Sequence, residues 1–151
     1  MPNLWMNRRL GMTRAGRRRY VGHLLDGGVM TSFTSAEIGA LGEQLAVDHL
    51  RSLGLRVLDR NWRCRYGELD VIVADDAARI AIFVEVKTRT SDRFGGVEQA
   101  VTPEKVRRLR RLASVWLAGQ DVGWSQLRID VVGVRIGRRR TPEITHLQGV
   151  G

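Results

Sequence analysis

An acid and an ammonium group lie two positions apart in the segment FVEVKTR, residues 83–89, where Glu85 and Lys87 flank a valine. The segment is rich in β-forming residues and predicts a strand, in which side chains two positions apart point to the same side. A half-buried strand hides one face and leaves the other in water, so the pair needs an explanation. It is either a surface ion pair, worth roughly 0–1 kcal/mol, or part of a reactive site.

A second carboxylate, Asp70, precedes Glu85 by 15 positions in another strand-like segment, GELDVIVADD, residues 67–76. Two carboxylates at neighbouring strand ends offer the hard oxygen ligands that Mg²⁺ or Mn²⁺ prefers. A lysine beside such an ion can position the attacking water and offset negative charge on the phosphate. Asp70, Glu85 and Lys87 therefore fit phosphodiester hydrolysis, although on spacing alone a plain ion pair fits equally well.

The charge balance indicates a polyanionic partner. The formal net charge is +9, and of the 25 basic residues only Lys87 and Lys105 are lysines. Basic side chains bind phosphates and release counterions, which favours nucleic acid, but charge alone does not separate DNA from RNA or anionic lipid. A chain that otherwise uses arginine keeps a compact, titratable ammonium group at Lys87.

Length and composition predict one main domain, residues 33–151. Residues 1–32 are basic, with six arginines and one acid among the first 30; they are either a disordered N-terminal arm or upstream sequence included through a mis-assigned start. The single cysteine, Cys64, has no partner for a disulfide within the chain, which predicts a cytoplasmic location. Because no run approaches the roughly 18–20 apolar residues of a membrane span, no membrane partner is expected.

Hydrophobic periodicity predicts the elements that position these residues. Thr34 and Glu37 match a capping box that begins a helix, and Gly54 can end it. Glu43 lies on the flank of the apolar stripe of this helix, near the edge of the core. A second helix begins at Pro103. The β-rich segments are 56–64, 67–76 and 78–89 between the helices and 127–134 after them. This order predicts an α/β fold with an αβββαβ core, in which helices flank a mixed central sheet.

Five segments together resemble the YraN-type family. They are GALGEQLAVDHLRSLG, RNWRCRYGELDVIV, FVEVKTR, FGGVEQAVTPEKVRRL and LRIDVVGV, which occur in this order over roughly residues 35–135. This bacterial family is placed in the restriction-endonuclease-like, PD-(D/E)XK, nuclease superfamily and is similar to archaeal Holliday junction resolvases. Leu69 stands where the superfamily name expects a proline that is often replaced.

The resemblance implies a restriction-endonuclease-like core with a Mg²⁺ or Mn²⁺ site. Asp70 matches the aspartate of the motif, Glu85 and Lys87 match its ExK, and Glu43 matches a helical glutamate that some members add to the metal shell. Asp70, Glu85 and Glu43 are thus the expected metal ligands, and Lys87 is expected to position the nucleophile. Resolvase-like relatives imply a homodimer, since two strands need two sites.

Further residues are candidates for contact with nucleic acid. Gln99 and Lys105 match family positions that imply phosphate or DNA contacts. Trp62 and Tyr66 either stack on an exposed base or pack against the protein. The arginines that either follow a DNA backbone or form a solvated face are Arg63, Arg65, Arg107, Arg108 and Arg111.

Two functions follow from these residues. The first is a Mg²⁺-dependent endonuclease that hydrolyses phosphodiester bonds in DNA, with branched and single-stranded forms as candidate substrates. The alternative is a non-catalytic nucleic-acid-binding module of the same fold that acts as an adaptor. Asp130, inside an apolar strand segment, either pairs with an arginine such as Arg63 or Arg65 or supports the site from a neighbouring strand. His49 is expected to be a core histidine.

Overall fold

A computed structural model describes residues 5–9, 19–24, 31–90, 96–136 and 142–151, with side chains described from residue 33 onward. Its main sheet is built from the last five strands of the chain. The strands are β1 (Trp5–Arg9), β2 (Arg19–Leu24), β3 (Thr31–Thr34), β4 (Arg56–Cys64), β5 (Gly67–Asp75), β6 (Ile80–Arg89), β7 (Gln126–Arg135) and β8 (Glu143–Leu147), and the helices are α1 (Ser35–Ser52) and α2 (Pro103–Ala118), with a 3-10 turn at Val97–Ala100.

Both helices begin where their capping residues predict, and α1 ends just before Gly54 as predicted. At the start of α1, the Glu37 N–H donates to Thr34 Oγ1 at 3.2 Å and the Thr34 N–H donates to the Glu37 carboxylate at 2.6 Å. After α1 the chain turns through Gly54, whose φ of 80° suits glycine. The α2 helix begins with Thr102 as N-cap and Pro103 as the first helical residue.

The central sheet is mixed because one crossover helix interrupts a meander. Strands β4, β5 and β6 pair antiparallel, α2 then crosses over, and β7 pairs parallel to β6. Strand β8 adds an antiparallel edge to β7. The predicted αβββαβ order and the α/β class, with helices flanking a mixed sheet, are confirmed.

Each face of the sheet is covered by one helix. The α1 side buries Ala46, Leu50, Val73, Val84 and Val132, among others. The α2 side buries Ile72, Phe83, Leu109, Leu112 and Trp116, among others. Because both faces are covered, Glu85 is only 7% exposed, and the expectation that its face of the strand lies in water is wrong.

The N-terminal segment contributes a second, small antiparallel sheet with the order β1-β2-β3. Strands β1 and β2 lie within the segment for which the sequence predicted a disordered arm or an early start, and β3 runs from that segment into the predicted main domain. The residues between these strands lie outside the described ones. The division of the chain at residue 32 remains a prediction. Within the described ranges, no helix is both long and apolar enough to cross a membrane.

Candidate active site

Strands β5 and β6 separate at Asp70, and this fork holds the predicted site. Their pairing ends with Val71 opposite Val84, beyond which β6 pairs with β7 alone. At this point the Asp70 side chain replaces the backbone of β5 as hydrogen-bond acceptor, because its Oδ2 accepts a hydrogen bond from the Val86 N–H at 2.8 Å. The carboxylate thus satisfies a backbone donor that a continued ladder would have paired with β5.

The fork begins in an irregular stretch of both β4 and β5. Leu69 and Ile72 pack on the α2 side of the sheet and Val71 packs on the α1 side, so the alternation of the strand is interrupted at Asp70. Across from Asp70, Asn61 of β4 has φ 52°, a left-handed conformation that asparagine tolerates better than most residues.

Glu43 reaches the fork because α1 lies very close to β6. A Cβ added at Gly42 would stand 2.8 Å from the Thr88 Cβ and nearer still to its Oγ1, so only glycine permits this approach. The next residue, Glu43, accepts a hydrogen bond from the Asn61 side-chain amide at 3.2 Å. Asn61 therefore links β4 to the carboxylate on α1. Sequence reasoning missed it, although an asparagine inside a strand segment is a weak signal.

Asp70 lies in an environment that disfavours its ionised form. Burial raises the pKa of Asp70 to about 6, although the hydrogen bond from the Val86 N–H favours the carboxylate. Nearby carboxylates also raise this pKa, and they are Glu85, Glu43 and Glu68. Like charges gathered around a buried acid are typical of sites that bind a cation or transfer a proton.

Both lysines of the chain converge on Glu85. The Nζ of Lys87 lies 3.4 Å from Glu85 Oε1, and the Nζ of Lys105, from the first turn of α2, lies 3.2 Å from the same oxygen. A side-chain hydrogen bond with Lys105, together with the negative charge of Glu85, raises the pKa of Lys87. Burial and the same hydrogen bond lower the pKa of Lys105, so Lys87 is the lysine that holds its proton more firmly. The sequence predicted Lys105 as a DNA contact and missed its place beside Glu85; the rarity of lysine was the available signal.

The other predicted contact residues lie outside this cluster. Gln99 is exposed in the 3-10 turn, and Arg63 forms an exposed ion pair with Glu68 at 3.1 Å. Arg107, Arg108 and Arg111 lie exposed on α2 and line a cleft with Tyr66, and Arg65 stacks on the Tyr66 ring. Of the predicted site residues, Glu85 and Lys87 are in contact, and Glu85 and Glu43 lie close enough to Asp70 to raise its pKa.

Asp130 pairs with an arginine, as one of the two predictions expected, but the partner is Arg128 and not the suggested Arg63 or Arg65. Its carboxylate accepts two hydrogen bonds from Arg128, each 2.8 Å long. Arg128 stands two positions earlier on β7 and so points to the same face as Asp130. Arg63 belongs instead to the β4–β5 hairpin, where Glu68 is its partner.

The donor set at the fork fits a hard divalent cation. Within the described ranges, no group of three or more acidic, histidine or cysteine side chains is arranged around one point. Mg²⁺ does not need such a cage, because it is usually held by one or two carboxylates together with water and substrate phosphates. Asp70 and Glu85 supply carboxylate oxygens, and Glu43 stands close enough to act on the Asp70 charge.

These features define an α/β protein with an acid–lysine cluster at a fork in its mixed sheet. Residues 42–134 match the group described as "Uncharacterised protein family UPF0102". A UPF0102 protein of Mycobacterium sp. (strain JLS) is 74% identical over 121 residues, which cover 80% of this chain and 90% of that protein. One of Mycobacterium avium (strain 104) is 70% identical over 121 residues, with 80% and 94% covered. The chain belongs to the UPF0102 family, which confirms the YraN-type resemblance.

Similarity to solved structures is remote. The structure of Pyrococcus furiosus SfsA in complex with Ca²⁺ gives a TM-score of 0.36 at 16% identity, with 90% of this chain and 78% of that chain covered. Such a likeness carries no argument about the fold or the function of this chain.

Proposed function

We propose that the protein is a Mg²⁺- or Mn²⁺-dependent nuclease that hydrolyses phosphodiester bonds in DNA. The observation that carries the proposal is the convergence of Asp70, Glu85 and both lysines of the chain at the fork between β5 and β6. The restriction-endonuclease-like superfamily, to which the sequence resemblance points, uses an acid, acid and lysine set of this kind. A cytoplasmic location and a homodimer with one site for each DNA strand belong to the same proposal.

Each residue of the fork has a role in this proposal. Asp70 and Glu85 would hold the divalent cation, with Glu43 binding it directly or through water. The cation, when bound, supplies positive charge that polarises the phosphate and acidifies water. Lys87 keeps its ammonium group beside Glu85 while 35% of its side chain stays exposed, so it can orient a water for attack. Lys105 offers a second cationic donor from α2, suited to a substrate phosphate oxygen.

One observation favours the alternative of a binding module without catalysis. Glu85 already has two ammonium groups within 3.4 Å, so its charge is balanced without a cation. Calorimetry with Mn²⁺ separates the two functions. If the protein is a nuclease, wild type should bind Mn²⁺ and Asp70→Asn should not. If it is a binding module, neither protein needs to bind the ion.

The decisive experiment is a cleavage assay with Mg²⁺ or Mn²⁺ on linear duplex, single-stranded and junction DNA. We expect wild type to cut at least one substrate and Lys87→Ala to cut it roughly 100-fold more slowly or worse, as for loss of one charge-stabilising donor. Arg51→Ala removes an exposed positive charge from the last turn of α1 and serves as the matched control. Equal, background-level products from wild type and Lys87→Ala on every substrate would exclude catalysis.

A further inference from the structure

A cleft lies beside the candidate active site, between the β4–β5 turn and α2. Its volume is about 300 Å³. Leu112, which is fully buried, gives it an apolar floor, and Tyr66, which is 38% exposed, gives it an aromatic wall. The lining side chains are Tyr66, Glu104, Arg107, Arg108, Arg111 and Leu112.

The backbone fixes the position of Tyr66 in this cleft. The next residue, Gly67, has φ 140° and allows the tight turn from β4 into β5. A Cβ added at Gly67 would touch Arg108 Nη1 at 3.4 Å and Leu112 at 3.5 Å, so the turn is seated directly against α2. The tyrosine is therefore presented at the surface by a turn that is itself packed.

The Tyr66 ring already accepts flat cationic groups. The guanidinium carbon of Arg111 lies 4.2 Å from the ring centroid, and that of Arg65 lies 4.6 Å from it. Aromatic rings and guanidinium planes at the surface are the groups on which unpaired nucleobases stack. A base inside a duplex is stacked between its neighbours and must first be extruded to use such a platform.

Helix α2 connects the cleft to the active site. Lys105, in its first turn, contacts Glu85, and Arg108 and Arg111 follow on the same helix. At ~1.5 Å rise per residue, these arginines lie about 5 and 9 Å from Lys105 along the helix axis. At ~3.4 Å per stacked nucleotide, the cleft is within about one to three nucleotides of a phosphate held at the fork.

We propose that this cleft holds an unpaired nucleotide of the substrate, with Tyr66 stacked on the base and the arginines of α2 on the adjacent phosphates. The inference rests on the proposed function and narrows its substrate to nucleic acid with unpaired nucleotides next to the cut, such as a flap, a gap or the centre of a junction. An acidic peptide would satisfy the arginines but leave the aromatic wall unused. The combination of ring and guanidinium groups therefore favours a nucleotide.

The test measures binding in a chelator, so that it does not depend on cleavage. Fluorescence anisotropy compares a labelled single-stranded oligonucleotide with a blunt duplex of the same length. Tyr66→Phe keeps the ring, and Tyr66→Leu keeps only apolar bulk. Tyr66→Leu is expected to weaken single-strand binding roughly 5- to 100-fold, the usual loss for one stacked base. Duplex binding is expected to stay within about twofold, because duplex contacts go mainly to phosphates.

Charge and fold are controlled separately. Arg111→Gln is expected to weaken single-strand binding and reduce its salt dependence. Arg51→Gln changes an exposed arginine in the last turn of α1 that does not line the cleft, and it is expected to do neither. Thermal unfolding of the Tyr66 variants checks that the turn is intact, and Tyr66→Trp should bind single strands at least as well as wild type. A polyglutamate competitor should displace the oligonucleotide only weakly.

The outcomes separate this inference from the nuclease proposal. Single-strand binding that is equal in wild type and Tyr66→Leu, or lost equally in Tyr66→Leu and Tyr66→Phe, overturns the stacking site. Displacement by polyglutamate as effective as by unlabelled single strand also overturns it. If the protein cuts DNA and the ring has no effect, the nuclease proposal stands without this cleft. If binding needs the ring but no substrate is cut, the cleft stands and catalysis falls.

Discussion

Two buried carboxylates, Glu85 and Asp130, occupy neighbouring positions on adjacent strands but face opposite sides of the sheet and have different partners. In the parallel pairing of β6 and β7, Val84 is opposite Asp130 and Glu85 is opposite Val131. Glu85 points to the α2 side, where it meets Lys105, and Asp130 points to the α1 side. Their exposures are 7% and 0%, so burial does not distinguish them.

Asp130 has a complete set of partners. Arg128 donates to both of its oxygens at 2.8 Å, the Gly149 N–H donates to Oδ1 at 3.0 Å, and His146 Nε2 lies 2.8 Å from Oδ2. The other ring nitrogen of His146 lies 3.1 Å from His49 Nε2 on α1. The network joins β7, β8 and α1, and a buried charge that is paired and hydrogen-bonded in this way is a structural element.

Glu85 is arranged differently. Its two ammonium partners approach the same oxygen, at 3.2 and 3.4 Å, and Asp70, whose pKa is raised to about 6, stands close by. One carboxylate is thus saturated by donors, whereas the other shares a fork with like charges and partly exposed lysines. The difference teaches that burial alone does not mark a candidate site, whereas a buried acid whose pKa is raised by burial and by neighbouring carboxylates, as that of Asp70 is, does so.

The largest expected effect comes from breaking the saturated carboxylate. Asp130→Asn leaves the Arg128 guanidinium without its charge partner, so we expect the free energy of unfolding to fall by about 3–5 kcal/mol. Its matched control is Glu85→Gln, which removes a carboxylate one position away on the next strand. Denaturant unfolding at neutral pH measures both. A larger loss for Glu85→Gln than for Asp130→Asn would reverse the assignment of structural and functional carboxylate.

The contrast between these two carboxylates also shows what the sequence could and could not reveal. Alternation and capping are local, so they predicted the strands that carry Asp70, Glu85 and Lys87 and the helix that carries Glu43. The sequence suggests Arg63 or Arg65 as the partner of Asp130, but the partner is Arg128. Arg128 lies two positions earlier on the same strand, so side-chain alternation was the signal that could have selected it among the several arginines. The contact between Lys105 and Glu85 depends on how α2 docks on the sheet, which no local pattern encodes.

The next effect concerns Asp70 and has a defined pH dependence. Its pKa is about 6 in the folded protein and 3.8 as the reference value, so the folded state binds this proton more tightly. The folded state therefore loses stability as pH rises from about 4 to 6, and above pH 6 the cost is up to about 3 kcal/mol. Asp70→Asn avoids the charge and should exceed wild type in stability by up to this amount at pH 8.

Urea unfolding in a chelator at pH 8 and pH 4 measures this difference. Near pH 4 the two proteins should be close in stability, because Asp70 is then mostly protonated in the folded state. Adding Mn²⁺ at pH 8 should stabilise wild type and not Asp70→Asn. If Asp70→Asn were the less stable protein at pH 8, Asp70 would resemble Asp130, and the proposed difference between the two sites would be lost.

A smaller effect tests how the fork is supported. Asn61→Gly keeps a residue that adopts the left-handed backbone conformation but removes the amide that holds Glu43. Loss of a group that orients a metal ligand commonly costs roughly 10- to 100-fold in metal affinity, so Mn²⁺ binding should weaken by this factor. Calorimetry measures it. Asn61→Ala should lose affinity and stability together, because alanine does not favour this conformation, and unchanged affinity in Asn61→Gly would exclude the positioning role.

The smallest expected effect lies at the outer end of the Asp130 network. Burial, and then the charge of His146, lower the pKa of His49, so the folded protein favours the neutral ring. Because the folded protein binds this proton less tightly than a free histidine does, the free energy of unfolding falls as pH drops below 6.5, the value for a free histidine. The contribution of Asp70 has the opposite pH dependence, since it lowers the stability as pH rises. His49→Gln should therefore reduce the loss of unfolding free energy between pH 7.5 and pH 5, as measured by urea unfolding.

The same variant should be far more stable at pH 7.5 than Asp130→Asn, because Arg128 still donates both of its hydrogen bonds to Asp130. A loss as large as that of Asp130→Asn would mean that the stability of the Asp130 network depends on His49, and Asp130 would then not be held by Arg128 and its other direct partners alone.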